Sequence, residues 1–219
     1  MLVSGQTISV RDRSDWWSIL NEGFQTPQAT GQKGTIDEAN FQISGVTLGS
    51  GQFEKASLRL DKAKVVRRGD GSSGREQVCY VPPDGKTKVH LIFEFGEVES
   101  AFYLFSGGPY WKGSGFCRKS SQLSTDLKAA SGLRLGLSRS QLEAILGKPD
   151  VVVGNRLVYS REVNKKTSAE EFEQLRNEYP EKLSNEVAHK KFDFQSVVIY
   201  IEARFSGSKL TYLAVSRTT

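Results

Sequence analysis

A short stretch of this chain occurs twice, and its surroundings limit what the chain can fold into. Residues 131–150, SGLRLGLSRSQLEAILGKPD, join an apolar entry, a glycine, a helix with its own start signal and a glycine–proline stop. The Ser138 hydroxyl can accept from a backbone N–H left free in the first helical turn. Leu142, Ile145 and Leu146 recur at helical spacing and share one face. Gly147 suits the left-handed geometry that closes a helix, and Pro149 cannot continue it. Earlier in the chain, Ser44-Gly45-Val46-Thr47-Leu48-Gly49 matches Ser131-Gly132-Leu133-Arg134-Leu135-Gly136 at a constant offset of 87, with four of six positions identical. A short helical pattern carrying Phe53, Ala56, Ser57 and Leu60 on one side follows the first copy, and β-branched runs follow both. An internal repeat explains this agreement.

The strands follow in the same order in each copy. Asp70-Gly71 is a hairpin signal between strands at about 64–68 and 76–81, and Arg156 to Ser160 forms the corresponding return strand of the second copy. KVHLIFEF (88–95) and SVVIYIEARF (196–205) are rich in branched and aromatic residues, as are SAFYLFS (100–106) and TYLAVS (211–216). The expected fold is therefore α+β. It consists of two tandem modules, each a short helix packed on an antiparallel sheet of about four strands, with sheets that could adjoin across a seam at 106–125. The division is an N-terminal extension with a short helix (1–39), a first module (40–106), a glycine- and aromatic-rich seam (107–125) and a second module (126–219). Within the second module lies a helical insertion (161–194) where Phe172, Leu175 and Tyr179 share a face and charges nearly cancel.

Composition narrows the function classes. The net charge of +5 is modest and no run of eighteen apolar residues occurs, so no transmembrane segment is expected. The first residues lack a basic n-region and an apolar h-region, which leaves a cytoplasmic protein or one whose export signal is absent. Cys79 and Cys117 are not at metal spacing. In an exported protein they can close a loop of about 39 residues as a disulfide. His90 and His189 have no Cys, Asp or Glu at ligand spacing, and Cys117 with His90 is the one nucleophile pair that can be named. The glycine clusters do not follow a strand and open a long helix, so they fail as phosphate-binding loops. No catalytic residue, metal site or cofactor is assigned. An enzyme would need a site assembled only in space.

Two groups of residues are candidates for binding. Tyr110 and Trp111 lie in the glycine-rich seam, and Tyr103 and Tyr212 are read as exposed sheet positions; together they offer large contact area to a partner protein. Between residues 55 and 75 a basic cluster that includes Arg59, Lys62, Lys64, Arg67 and Arg68 could attract an anion, a nucleic acid or a lipid surface. Aromatics are not interleaved with it, which disfavours single-stranded nucleic acid.

The residues GLRLGLSRSQLEAILGKP, with Tyr159 and the terminal SGSKLTYLAVS, resemble a known pattern. It is that of the SmpA/OmlA outer-membrane lipoproteins (the small subunit of the barrel-assembly machinery) and of the β-lactamase-inhibitor-protein-like fold. Those families share a glycine, a Ser/Thr-capped helix, Leu-Gly-x-Pro and an antiparallel sheet, and the inhibitor-like members carry the unit in tandem. The match is good over 131–160 and 196–216 and weaker over 44–106. The first copy has Leu60-Asp61-Lys62-Ala63 in place of Leu146-Gly147-Lys148-Pro149, and no lipobox cysteine lies near the start. The resemblance implies a periplasmic or secreted protein that binds another protein through its sheet face, without catalytic residues. The oligomeric state is left open.

Overall fold

The structure is a computed structural model of the 219-residue chain, which describes residues 36, 38–49, 51–68, 74–84, 89–96, 99–106, 117–123, 126–167, 169–178 and 194–218. A 3-10 turn (Glu38–Phe41) leads into a small hairpin, β1 (Gln42–Ile43) and β2 (Val46–Thr47), followed by helix α1 (Gln52–Leu60). Strands β3 (Val66–Arg68), β4 (Arg75–Val81), β5 (Val89–Phe95) and β6 (Glu99–Ser106) come next, then the short β7 (Arg118–Lys119). Helix α2 (Arg139–Leu146), β8 (Val151–Val153), β9 (Arg156–Lys166), helix α3 (Ala169–Glu178), β10 (Phe194–Ser206) and β11 (Lys209–Thr218) complete the order.

The expectation of two helix-on-sheet modules is overturned. The protein is mostly β, and its strands form one continuous nine-stranded sheet in the order β3-β4-β5-β6-β11-β10-β9-β8, with β7 alongside β4. The two runs of four strands meet where β6 pairs with β11, from Phe105 opposite Tyr212 to Glu99 opposite Thr218. Fusion at this line is physically favoured. It satisfies the ladder groups of two strands that would otherwise be edges, and it removes Phe102, Leu104, Leu213 and Val215 from water together. The join is thus made by β6 and β11, not by the seam at 106–125. All ladders in the sheet are antiparallel except the short β4–β7 pairing.

One face of the sheet carries the main core. Val78, Tyr80, Leu91, Phe93, Phe102, Leu104, Leu157, Tyr159, Ile199, Ile201, Leu213 and Val215 meet Ala56 and Leu60 of α1 and Leu142 and Leu146 of α2. The repeated hexapeptides prepare each helix in the same way: Gly45 and Gly132 have φ of +73° and +89°, and Gly49 and Gly136 have +133° and +81°. These backbone angles favour glycine, and α1 and α2 begin at positions separated by the same offset of 87. The helix starts differ, however. Ser138 closes a reciprocal capping box with Gln141, whereas Gly51 at the head of α1 supplies no side-chain cap.

Candidate functional site

The second face of the sheet is where the sequence places candidate binding side chains, and its composition differs from expectation. Cys79, Ile92, Ala101, Tyr103, Tyr212 and Ala214 form a smaller buried cluster there, with Phe105 and Cys117 against it. Tyr103 and Tyr212 are 1% and 8% exposed, so neither is an exposed sheet position. The reason lies in their strands. Ala101, Tyr103 and Phe105 alternate with the core residues Phe102 and Leu104, so β6 is apolar on both faces and is buried on both. Tyr110, Trp111 and His189 lie outside the described residues.

Two buried carboxylates organise this face. Glu94 on β5 accepts from Arg75 Nη1 at 2.7 Å, from the Gln77 amide, and from the Tyr103 hydroxyl at 3.2 Å. Glu202 on β10 accepts from Arg156 Nη2 at 2.9 Å, from Arg204 Nε and from the Tyr200 hydroxyl at 3.4 Å. Arg204 also lies over the Tyr212 ring, 4.8 Å from its centroid. The two halves of the sheet thus each bury one glutamate against arginine and tyrosine, which is how a low-dielectric site tolerates a carboxylate. Burial, reinforced by neighbouring carboxylates, pushes the Tyr103 and Tyr212 phenols well above their ordinary range. Tyr103 is a hydrogen-bond donor and Tyr212 a packing group; neither acts as an acid. Glu94 and Glu202 could have been noticed as lone acids inside strongly apolar strands, FEF and IEA.

Cys79 and Cys117 are joined in a disulfide that ties β4 to the chain just before β7. Cys117 is therefore not a thiol nucleophile, and His90 stacks on Phe105 with ring centroids 5.0 Å apart. Among the described residues no group of three His, Cys, Asp or Glu side chains could hold a metal ion.

Among the described residues the exposed large apolar side chains are Leu58, Val65, Phe95, Val152 and Val153, and the last two lie on an end strand of the sheet. β8 pairs only with β9, and its other edge has no strand beside it among the described residues. Val152 and Val153 on this strand are 47% and 63% exposed. Their register, opposite Leu157 and Arg156, puts them on opposite faces of the edge. Beside the turn that follows is a cleft of about 630 Å³, with Leu157 and Phe205 as its apolar floor and Ser138, Arg139, Glu143 and Asn155 around it. Arg139 and Glu143 already pair at 2.9 Å, and the Ser138 hydroxyl caps α2. Arg59, Lys62, Lys64 and Arg67 are exposed on α1, the following segment and β3, and Arg68 belongs to the same strand.

Fold and face together define a protein built on one large, almost wholly antiparallel sheet, with α1 and α2 packed on one side and a buried polar cluster on the other. No protein-family model, no curated protein and no solved structure matches this chain. Among the described residues no helix is long and apolar enough to cross a membrane.

Proposed function

We propose that this protein is a non-enzymatic binding module of the bacterial envelope, or a secreted one, that holds another protein along the open edge of its sheet. The observation that carries the reading is β8, a three-residue edge strand with two exposed valines. Natural sheets protect an edge with a very short strand, charge, proline or a covering segment. β8 is short and follows Lys148-Pro149, but its own exposed side chains are apolar, and unpaired N–H and C=O groups beside them invite another strand. Strand addition would give a partner backbone hydrogen bonds from the edge and apolar contact on both faces. The disulfide supports a compartment outside the reducing cytoplasm. The resemblance to SmpA/OmlA and inhibitor-like proteins agrees with the reading but rests on the repeated segment and the terminal strands.

Tyr103 and Tyr212 are excluded as grips by their burial, so the edge replaces them in this proposal. The test is to place a photo-cross-linking phenylalanine analogue at Val153 and irradiate cells that export the chain. One adduct of defined mass is expected, and Val152→Lys should abolish it without altering the melting temperature. The absence of any adduct, or one that survives Val152→Lys, overturns the proposal.

A further inference from the structure

The charge of this chain is unevenly placed. Residues 55–68 hold six basic side chains and one acidic, an excess of five that equals the formal net charge of the whole protein; the other residues carry 24 of each sign. Lys55, Arg59, Lys62, Lys64 and Arg67 are all exposed. Among the described residues none of the five enters an ion pair, whereas Arg75, Arg139, Arg156, Arg161 and Arg204 all do.

These cations follow one another along α1, the segment after it and β3, with Glu54 and Asp61 as the exposed acids beside them. Gln52, Ala56 and Leu60 bury one stripe of α1, which turns Lys55 and Leu58 away from the core. In the next segment Ala63 packs against the core, while Lys62 and Lys64 on either side of it are exposed. Arg67 stands opposite Glu76 in the register, two residues from the core residue Val78, which puts it on the helix-covered side of the sheet. Two apolar side chains sit within the same strip: Leu58 is 85% exposed and Val65 is 46% exposed.

We infer that this strip docks the protein on an anionic lipid surface, with the cations facing lipid phosphates and Leu58 entering the boundary between headgroups and acyl chains. Charge complementarity supplies one attraction and apolar burial the other, and stable attachment of a peripheral protein needs two such signals. No aromatic side chain in the strip offers a stacking platform for single-stranded nucleic acid. The site is at the opposite end of the sheet from β8, so it stands or falls independently of the protein-binding proposal.

The test is co-sedimentation of the full chain with vesicles of phosphatidylcholine alone and of phosphatidylcholine mixed with phosphatidylglycerol. Binding is expected only to the mixed vesicles and should weaken as salt is raised. The variant K62S/K64S/R67S should lower partitioning by roughly a hundredfold, at about fivefold for each cation. Leu58→Ser removes no charge and no buried contact; it should lower partitioning by about tenfold at an unchanged melting temperature. Equal binding to both vesicle types, no binding to either, or insensitivity to the triple variant overturns the proposal. So does binding of a single-stranded oligonucleotide, without vesicle binding, that Leu58→Ser leaves unchanged.

Discussion

The hydroxyl of Tyr103 on β6 donates to the carboxylate of Glu94 on β5 at 3.2 Å, and both side chains are buried on the face of the sheet away from the helices. The contact is diagonal, since Ala101 rather than Tyr103 stands opposite Glu94 in the register. Removing the hydroxyl leaves Glu94 with Arg75 and the Gln77 amide. Tyr103→Phe should therefore cost about 1.5–3 kcal/mol, the range for a hydrogen bond to a charged group. Denaturant unfolding measures it, and an unchanged midpoint would mean that the bond adds nothing to stability.

Asp150 provides a stronger test of buried charge. Its Oδ2 accepts from the Ser160 amide at 2.8 Å and from the Arg161 guanidinium, and the ion pair is almost wholly withdrawn from water. Asp150→Ala strands a buried cation and should cost about 3–5 kcal/mol. Adding Arg161→Met to that variant should recover part of the loss. A double variant less stable than the single one would show that Arg161 contributes through its other contacts, to the Ser160 and Lys148 carbonyls.

The Cys79–Cys117 bridge spans 38 residues, so its loss enlarges the unfolded ensemble. Serine at both positions should lower stability by about 3–4 kcal/mol on the chain-entropy estimate. The wild-type protein should lose a similar amount when titrated with a thiol reductant. If reduced wild-type protein and the double serine variant unfold at different midpoints, the serines act through packing as well.

High pH should weaken the fold. Burial raises the phenols of Tyr80, Tyr103, Tyr159, Tyr200 and Tyr212, that of Tyr80 to about 12. In the unfolded chain tyrosines release their protons near pH 10. Above that pH the folded state holds more protons than the unfolded state, so stability falls as pH rises. The contribution is fully present below about pH 10 and is lost as pH climbs toward and through the folded values. Phenolate absorbance should show five tyrosines titrating late or only on unfolding. Normal titration of these five tyrosines in the native protein would contradict their burial.

Much of the local structure was legible from the residues. The offset of 87 placed α1 and α2, and β-branched and aromatic content placed the long strands of the sheet. The faces were harder to read. Tyr103 and Tyr212 read as exposed sheet positions, although the apolar residues on both parities of SAFYLFS point to a strand covered on two sides. The arginines that neutralise Glu94 and Glu202 come partly from other strands, Arg75 from β4 and Arg156 from β9, and no spacing in the chain announces such pairs.

Residues alone determined the repeated glycine-and-helix unit and the order of strands, because glycine angles, caps and side-chain alternation act over a few neighbouring positions. Only the tertiary structure decided that the two runs of strands join as one sheet through β6 and β11. That choice depends on which backbone edges find each other across more than a hundred residues of chain. It is made by satisfying hydrogen bonds and burying Phe102, Leu104, Leu213 and Val215 together. The same choice left β8 and β3 as the two end strands of the sheet among the described residues.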